Sequence, residues 1–105
     1  MLVVGCGGGL GSAKREFQAG DYGAARERLE RLEPASRSWS ETDRATYALY
    51  RGLTHHSLGD RRRAATWLGQ AKAIEDAHPH TLSPDDLTRL SLALDALGPE
   101  ANAPE

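Results

Sequence analysis

A two-residue turn recurs at a fixed interval in this chain of 105 residues. Gly20-Asp21 and Gly59-Asp60 stand 39 residues apart, and the positions around them keep the interval: Ala13 with Gly52, Ala19 with Leu58, Ala25 with Ala64, Leu29 with Leu68. Gly98, directly after Leu97, falls at the next step. Self-similarity at a spacing of roughly 20 to 50 residues marks stacked supersecondary units, each burying a face against the next. Between the turns, small and apolar residues recur at three and four. The repeated unit is therefore a pair of helices joined at a glycine.

The stretch from Thr42 to Pro79 carries the unit most completely. Ser40 offers a hydroxyl to the first free amides, with Asp43 three residues on, so a helix starts near Glu41. Ala45, Ala48, Leu49, Gly52, Leu53 and His56 fall on one stripe expected to face inward. A mid-helix glycine costs about 1 kcal/mol against alanine, so Gly52 points to a close helix contact. Leu58-Gly59 ends this helix and Asp60 caps the next, whose stripe is Ala64, Leu68 and Ala71 with Trp67 and Ile74.

Elsewhere the pattern predicts a short helix from Ser12, as cap, to Ala19. A second runs from Tyr22 to about Glu33, with Ala25, Leu29 and Leu32 inward. Its Arg26, Glu27, Arg28, Glu30 and Arg31 alternate in sign and read as a solvated face. Pro34 is expected to end it, leaving a loop to Trp39. Ser83-Pro84-Asp85-Asp86 opens a last helix in the preferred order of cap, proline and acids. Leu87, Leu90, Leu94 and Leu97 form its seam, broadened by Leu92, Ala93 and Ala96, and Gly98-Pro99 stops it. The expected fold is all-α with about five helices over residues 13–98, between a glycine-rich segment 1–12 and a polar tail 99–105.

Several functions find no support. Net charge is −2 and aromatics make up 6% of the chain, which argues against a nucleic-acid surface. No apolar run approaches the ~18 residues of a membrane span. His55-His56 and His78-Pro79-His80, with Glu75 and Asp76, do not make a zinc set, which needs three or four converging ligands. They read as surface and helix-end histidines. No nucleophile-base order or carboxylate pair stands out, so neither an enzyme nor a cofactor is expected. Arg61-Arg62-Arg63 opens a helix where the dipole disfavours cations; it reads as a solvated run, with an anionic contact as the alternative.

Cys6 leaves three readings open. Val3-Val4-Gly5-Cys6 is similar to the bacterial lipobox, with the cysteine as the site of lipidation and Gly7 to Gly11 as a tether spanning on the order of 12 Å. A complete signal also needs a basic and an apolar region ahead of the cysteine, which requires sequence upstream of Met1. Leu2-Val3-Val4 before glycines also looks like a strand entering a phosphate-binding turn, but no Gly-x-Gly-x-x-Gly or P-loop spacing follows. The third reading is a glycine-rich end with a free thiol.

Over Ala13 to Gly98, the spacing of Ala48, Gly52, Gly59, Asp60, Ala64, Leu68 and Ala71 resembles the tetratricopeptide repeat. That family's period is about 34, so Pro34 to Trp39 corresponds to an insertion. The large aromatic, leucine and tyrosine of the family's first helix fall on Ala48, Arg51 and His55, with Tyr47 and Tyr50 offset by one. The resemblance implies a right-handed stack of antiparallel hairpins acting as a non-enzymatic protein-interaction adaptor. Its concave groove would be lined by Lys14, Phe17 and Gln18, by Thr46, Leu49, Leu53 and His56, and by Thr88, Leu92 and Asp95. Another protein or peptide would lie there. The Lys/Asn/Arg clamp of chaperone-binding members is missing from this set. With a genuine lipobox the adaptor resembles an outer-membrane lipoprotein facing the periplasm, since Gly7 rather than Asp follows Cys6; otherwise it is cytoplasmic. The alternative is a soluble homo-oligomeric unit, or a piece of a longer repeat array.

Overall fold

Serine and aspartate caps set the helix starts. In the computed structural model, which describes residues 9–98, the Asp43 amide donates to Ser40 Oγ at 3.2 Å, that of Arg63 to Asp60 Oδ1 at 3.1 Å, and that of Asp86 to Ser83 Oγ at 3.2 Å. These open α3 (Glu41–Ser57), α4 (Arg61–Ala77) and α5 (Pro84–Leu97). Ahead of them lie α1 (Leu10–Gln18) and α2 (Tyr22–Ser36), and among the described residues there is no strand. The fold is all-α. Gly20 and Gly59 adopt φ of 84° and 85°, left-handed values that let the chain leave one helix and enter the next without a Cβ clash.

Two boundaries differ from the sequence reading. α1 begins at Leu10, inside the stretch assigned to the glycine-rich segment, with Gly9 at the cap position and φ of 89°. Leu10 is buried, and the Leu32 side chain lies over Gly9, so burial of an apolar residue extends the helix. Ser12 is therefore inside the helix and accepts from Arg15 instead of capping. α2 also runs through Pro34 to Ser36. Proline fixes φ near the helical value, and its missing amide costs only one bond in the final turn. Beyond it the Ser36 hydroxyl donates to the Glu33 carbonyl at 2.7 Å.

α3 is the axis of the molecule, its backbone lying close to each of the other four helices, whereas the backbones of α1 and α2 lie close to neither α4 nor α5. The sequence predicted one inward stripe on it. Instead every residue from Tyr47 to His55 is buried, because neighbours lie on all sides, and His56 is only half-buried. Against α3, α4 buries Ala64, Leu68 and Ala71, as the spacing predicts. α2 contributes Ala25 and Leu29. On α5 the buried stripe is Asp86, Leu90, Ala93 and Leu97; Leu87 and Leu94 are half-buried, and Leu92 is 65% exposed.

Arg51, where the repeat pattern places a leucine, is 8% exposed. Its guanidinium lies 4.5 Å from the Trp67 ring centroid and 2.6 Å from Glu33 Oε1, and donates to the Tyr47 hydroxyl at 3.1 Å. Tyr47 in turn donates to the Leu29 carbonyl at 2.5 Å. These bonds tie α2, α3 and α4 together through polar groups within the core.

Candidate functional site

An open groove of about 320 Å³ lies where α1, α3 and α5 meet. Its lining comprises Phe17 of α1, Leu53, His56 and Ser57 of α3, and Arg89, Leu92, Ala93 and Ala96 of α5. Helical spacing explains the α5 contribution, since residues 89, 92, 93 and 96 fall on one stripe. Phe17 is set by two neighbouring rings, Tyr22 at 5.4 Å and Tyr50 edge-on at 5.6 Å. The groove is mostly apolar, with Leu92 as its most exposed large side chain.

Beside the groove, a bonded chain holds α5 to α3. Tyr50 donates its hydroxyl to Asp86 Oδ1 at 2.8 Å, and Arg89 reaches the same oxygen at 3.1 Å. Burial, then the bond to the Asp86 carboxylate, pushes the Tyr50 hydroxyl up to about 12, so it stays protonated as the donor. Arg89 is thereby held at the groove's edge as a cation.

Of the residues the sequence assigned to a groove, the structure brings together Phe17, Leu53, His56 and Leu92. Lys14 and Thr46 line a separate wide depression with Leu10, Leu82 and Leu87, and the Lys14 ammonium sits 5.5 Å from the Tyr50 ring centroid. Leu49 is a correction: it is 0% exposed and belongs to the core, because α3 is enclosed on every side. Gln18, Thr88 and Asp95 are exposed and lie outside the lining, Thr88 donating to the Pro84 carbonyl. Cys6 lies outside the described residues. The sequence reading missed Arg89, Ala93, Ala96 and Ser57 as lining. The signal for the first three was their spacing from Leu92.

The histidines take unlike places. His55 is buried, and desolvation, followed by the nearby Arg51 charge, lowers its pKa below the usual 6.5. His78 Nε2 lies 2.7 Å from Glu41 Oε2. Among the described residues no three His, Cys, Asp or Glu side chains are placed to hold a metal ion. No described helix is long and apolar enough to cross a membrane. The set can seat apolar side chains beside one cation, Arg89, which also meets Asp86 at 3.1 Å. No family model matches the chain, and neither does any curated protein or solved structure.

Proposed function

We propose that the chain is a tetratricopeptide-like, non-enzymatic interaction module whose α1/α3/α5 groove takes an apolar segment of a partner protein. The observation that carries this reading is the convergence of Phe17, Leu53, His56 and Leu92 from three separate helices on one open apolar surface. A 65% exposed leucine at its rim stays wet unless something covers it. The fold reading is supported by the left-handed glycines at matching turns, and by α3 lying close to both α1 and α5. The partner would present leucine-sized side chains on one face of a helix or strand, beside an acid facing Arg89. Photo-crosslinkers at Leu92 and His56, with Thr66 on exposed α4 surface as control, test this in the native host. Partner adducts at the first two positions and not at Thr66 are expected; equal labelling at all three overturns the reading.

A second reading rests on α5, which leaves Leu87 and Leu94 half-exposed. A second copy, or further repeats, would complete their burial. Sedimentation of the wild-type chain against Leu94→Glu separates this from the adaptor. The lipobox-like Val3-Val4-Gly5-Cys6 further supports anchoring of the adaptor in a bacterial envelope. Intact mass of detergent-extracted protein made with its upstream DNA tests that: acylation with cleavage before Cys6 supports it, and an unmodified chain rejects it.

A further inference from the structure

We infer that a second cleft, between the end of α2 and the faces of α3 and α4, is a binding site for a carboxylate carried next to an aromatic ring. It encloses about 300 Å³ and is lined chiefly by Glu33, Arg37, Arg44, Tyr47, Trp67 and Gln70. It is distinct from the groove: at 100° per residue, Tyr47 in the cleft and His56 in the groove lie on opposite sides of α3.

Charge assigns the ligand's sign. The one carboxylate in the lining, Glu33, is already taken by Arg51, which holds Oε1 at 2.6 Å and keeps this acid below its usual range. Arg37 lies only loosely against the other oxygen, at 3.6 Å, and is 72% exposed. Arg44 makes no ion pair among the described residues. Arg44 thus lines the cleft with no carboxylate of its own, and Arg37 has only a loose share of the carboxylate that Arg51 holds more closely, in a chain whose net charge is −2. Their planar forks match a carboxylate in geometry as well as charge.

Aromatic packing assigns the ligand's body. Trp67 is fixed by the Arg51 guanidinium over its ring and by Tyr47 edge-on at 5.6 Å, so it enters the cleft already oriented. A held indole offers an offset or edge contact to another ring at little ordering cost. Gln70 adds an amide beside it. Of the residues beyond a 34-residue period, Ser36 and Arg37 line this place: α2 continues through Pro34, Arg37 follows at its end, and Trp39, outside the lining, folds back edge-on to Tyr47 at 5.7 Å. The segment expected to be a loop supplies part of the wall of a cleft.

The same chemistry occurs in a free aryl carboxylate and in an acidic residue beside a phenylalanine in a protein segment. Titrating the full chain with phenylacetate, and separately with N-acetyl-Phe-Glu-amide, while following the Trp67 indole and Gln70 amide resonances, tests the site. Saturable shifts with phenylacetate support it with a free acid as source; saturation with the dipeptide alone supports it with a protein-borne source. Arg44→Gln weakens whichever binds by about tenfold or more, and Arg26→Gln, a charge loss elsewhere on α2, leaves it unchanged. The site is overturned if neither probe saturates, if acetate matches phenylacetate at equal concentration, or if Arg44→Gln binds as wild type does.

Discussion

Gly52 on α3 and Leu68 on α4 meet so closely that one added methyl group at Gly52 would overlap the leucine. A Cβ built on Gly52 would lie 2.6 Å from Leu68 Cγ and 3.0 Å from the Leu68 backbone nitrogen. The helices cross there with backbone near backbone, which explains a mid-helix glycine. Gly52→Ala raises helix propensity by about 1 kcal/mol, yet overpacking of a tight core costs about 1–3 kcal/mol. The expected outcome is a net loss of up to about 2 kcal/mol in urea unfolding. In a Leu68→Ala background the same substitution should cost less, a coupling visible in a double-mutant cycle.

Arg51 separates charge from packing. Its long side chain covers Trp67 while its charge meets Glu33, which is 35% exposed and can return to water. Arg51→Leu keeps apolar bulk and releases a desolvated cation, so stability should change by less than about 1 kcal/mol. Arg51→Ala removes the cover as well and should cost about 2–3 kcal/mol. Equal losses in thermal unfolding for the two variants would contradict this division.

Acid should act on the fold in two stages. His55 has a folded pKa below its unfolded value of 6.5, so below pH 6.5 the unfolded chain binds more protons than the native one. Stability is then lost as pH falls, by up to about 1.4 kcal/mol per pH unit for this one group. Glu33 and Glu75 are lowered from 4.5, the first by the Arg51 bond and the second by backbone amides led by that of Leu82. Their stabilisation is complete above pH 4.5 and fades as pH falls through their folded values. Urea midpoints should begin to drop near pH 6.5 in the wild type. In His55→Gln the drop should start nearer pH 4.5.

His80 carries φ of 72°, an uncommon backbone state for a residue with a Cβ. The turn holds it there: Glu75 accepts the His80 amide at 2.7 Å and the Leu82 amide at 2.8 Å. His80→Gly removes the steric cost but loosens the unfolded chain, for a net gain of up to about 1 kcal/mol. His80→Val should destabilise by at least as much, and comparing the two melting temperatures checks both signs.

Helix number, the caps at Ser40, Asp60 and Ser83, and the left-handed turns at Gly20 and Gly59 were legible because each depends on local chemistry, whereas the cap expected at Ser12 gave way to the burial of Leu10. Gly52 was legible too, since a glycine in mid-helix has few other uses. The extension of α2 past Pro34 was not, because what holds Trp39 is Tyr47 on another helix. For the same reason the stripe on α3 was drawn too narrow. Periodicity reports one buried face, whereas α3 is surrounded. Leu49 was assigned to the groove and Arg51 read as a departure from a pattern, although both are interior. Phe17, Leu53, His56 and Leu92 did converge, since side chains on parallel stripes of neighbouring helices meet once the order of packing is right.

The position of α3 also shapes how the molecule comes apart. Because among the described residues the backbones of α1 and α2 lie close to α3 and to neither α4 nor α5, the first hairpin can open while α3, α4 and α5 keep their mutual contacts. Amide protons should therefore exchange in tiers, fastest in α1 and slowest in the middle of α3. The groove takes one wall from the tier that opens first, the Phe17 side, so its width is tied to the least protected part of the fold.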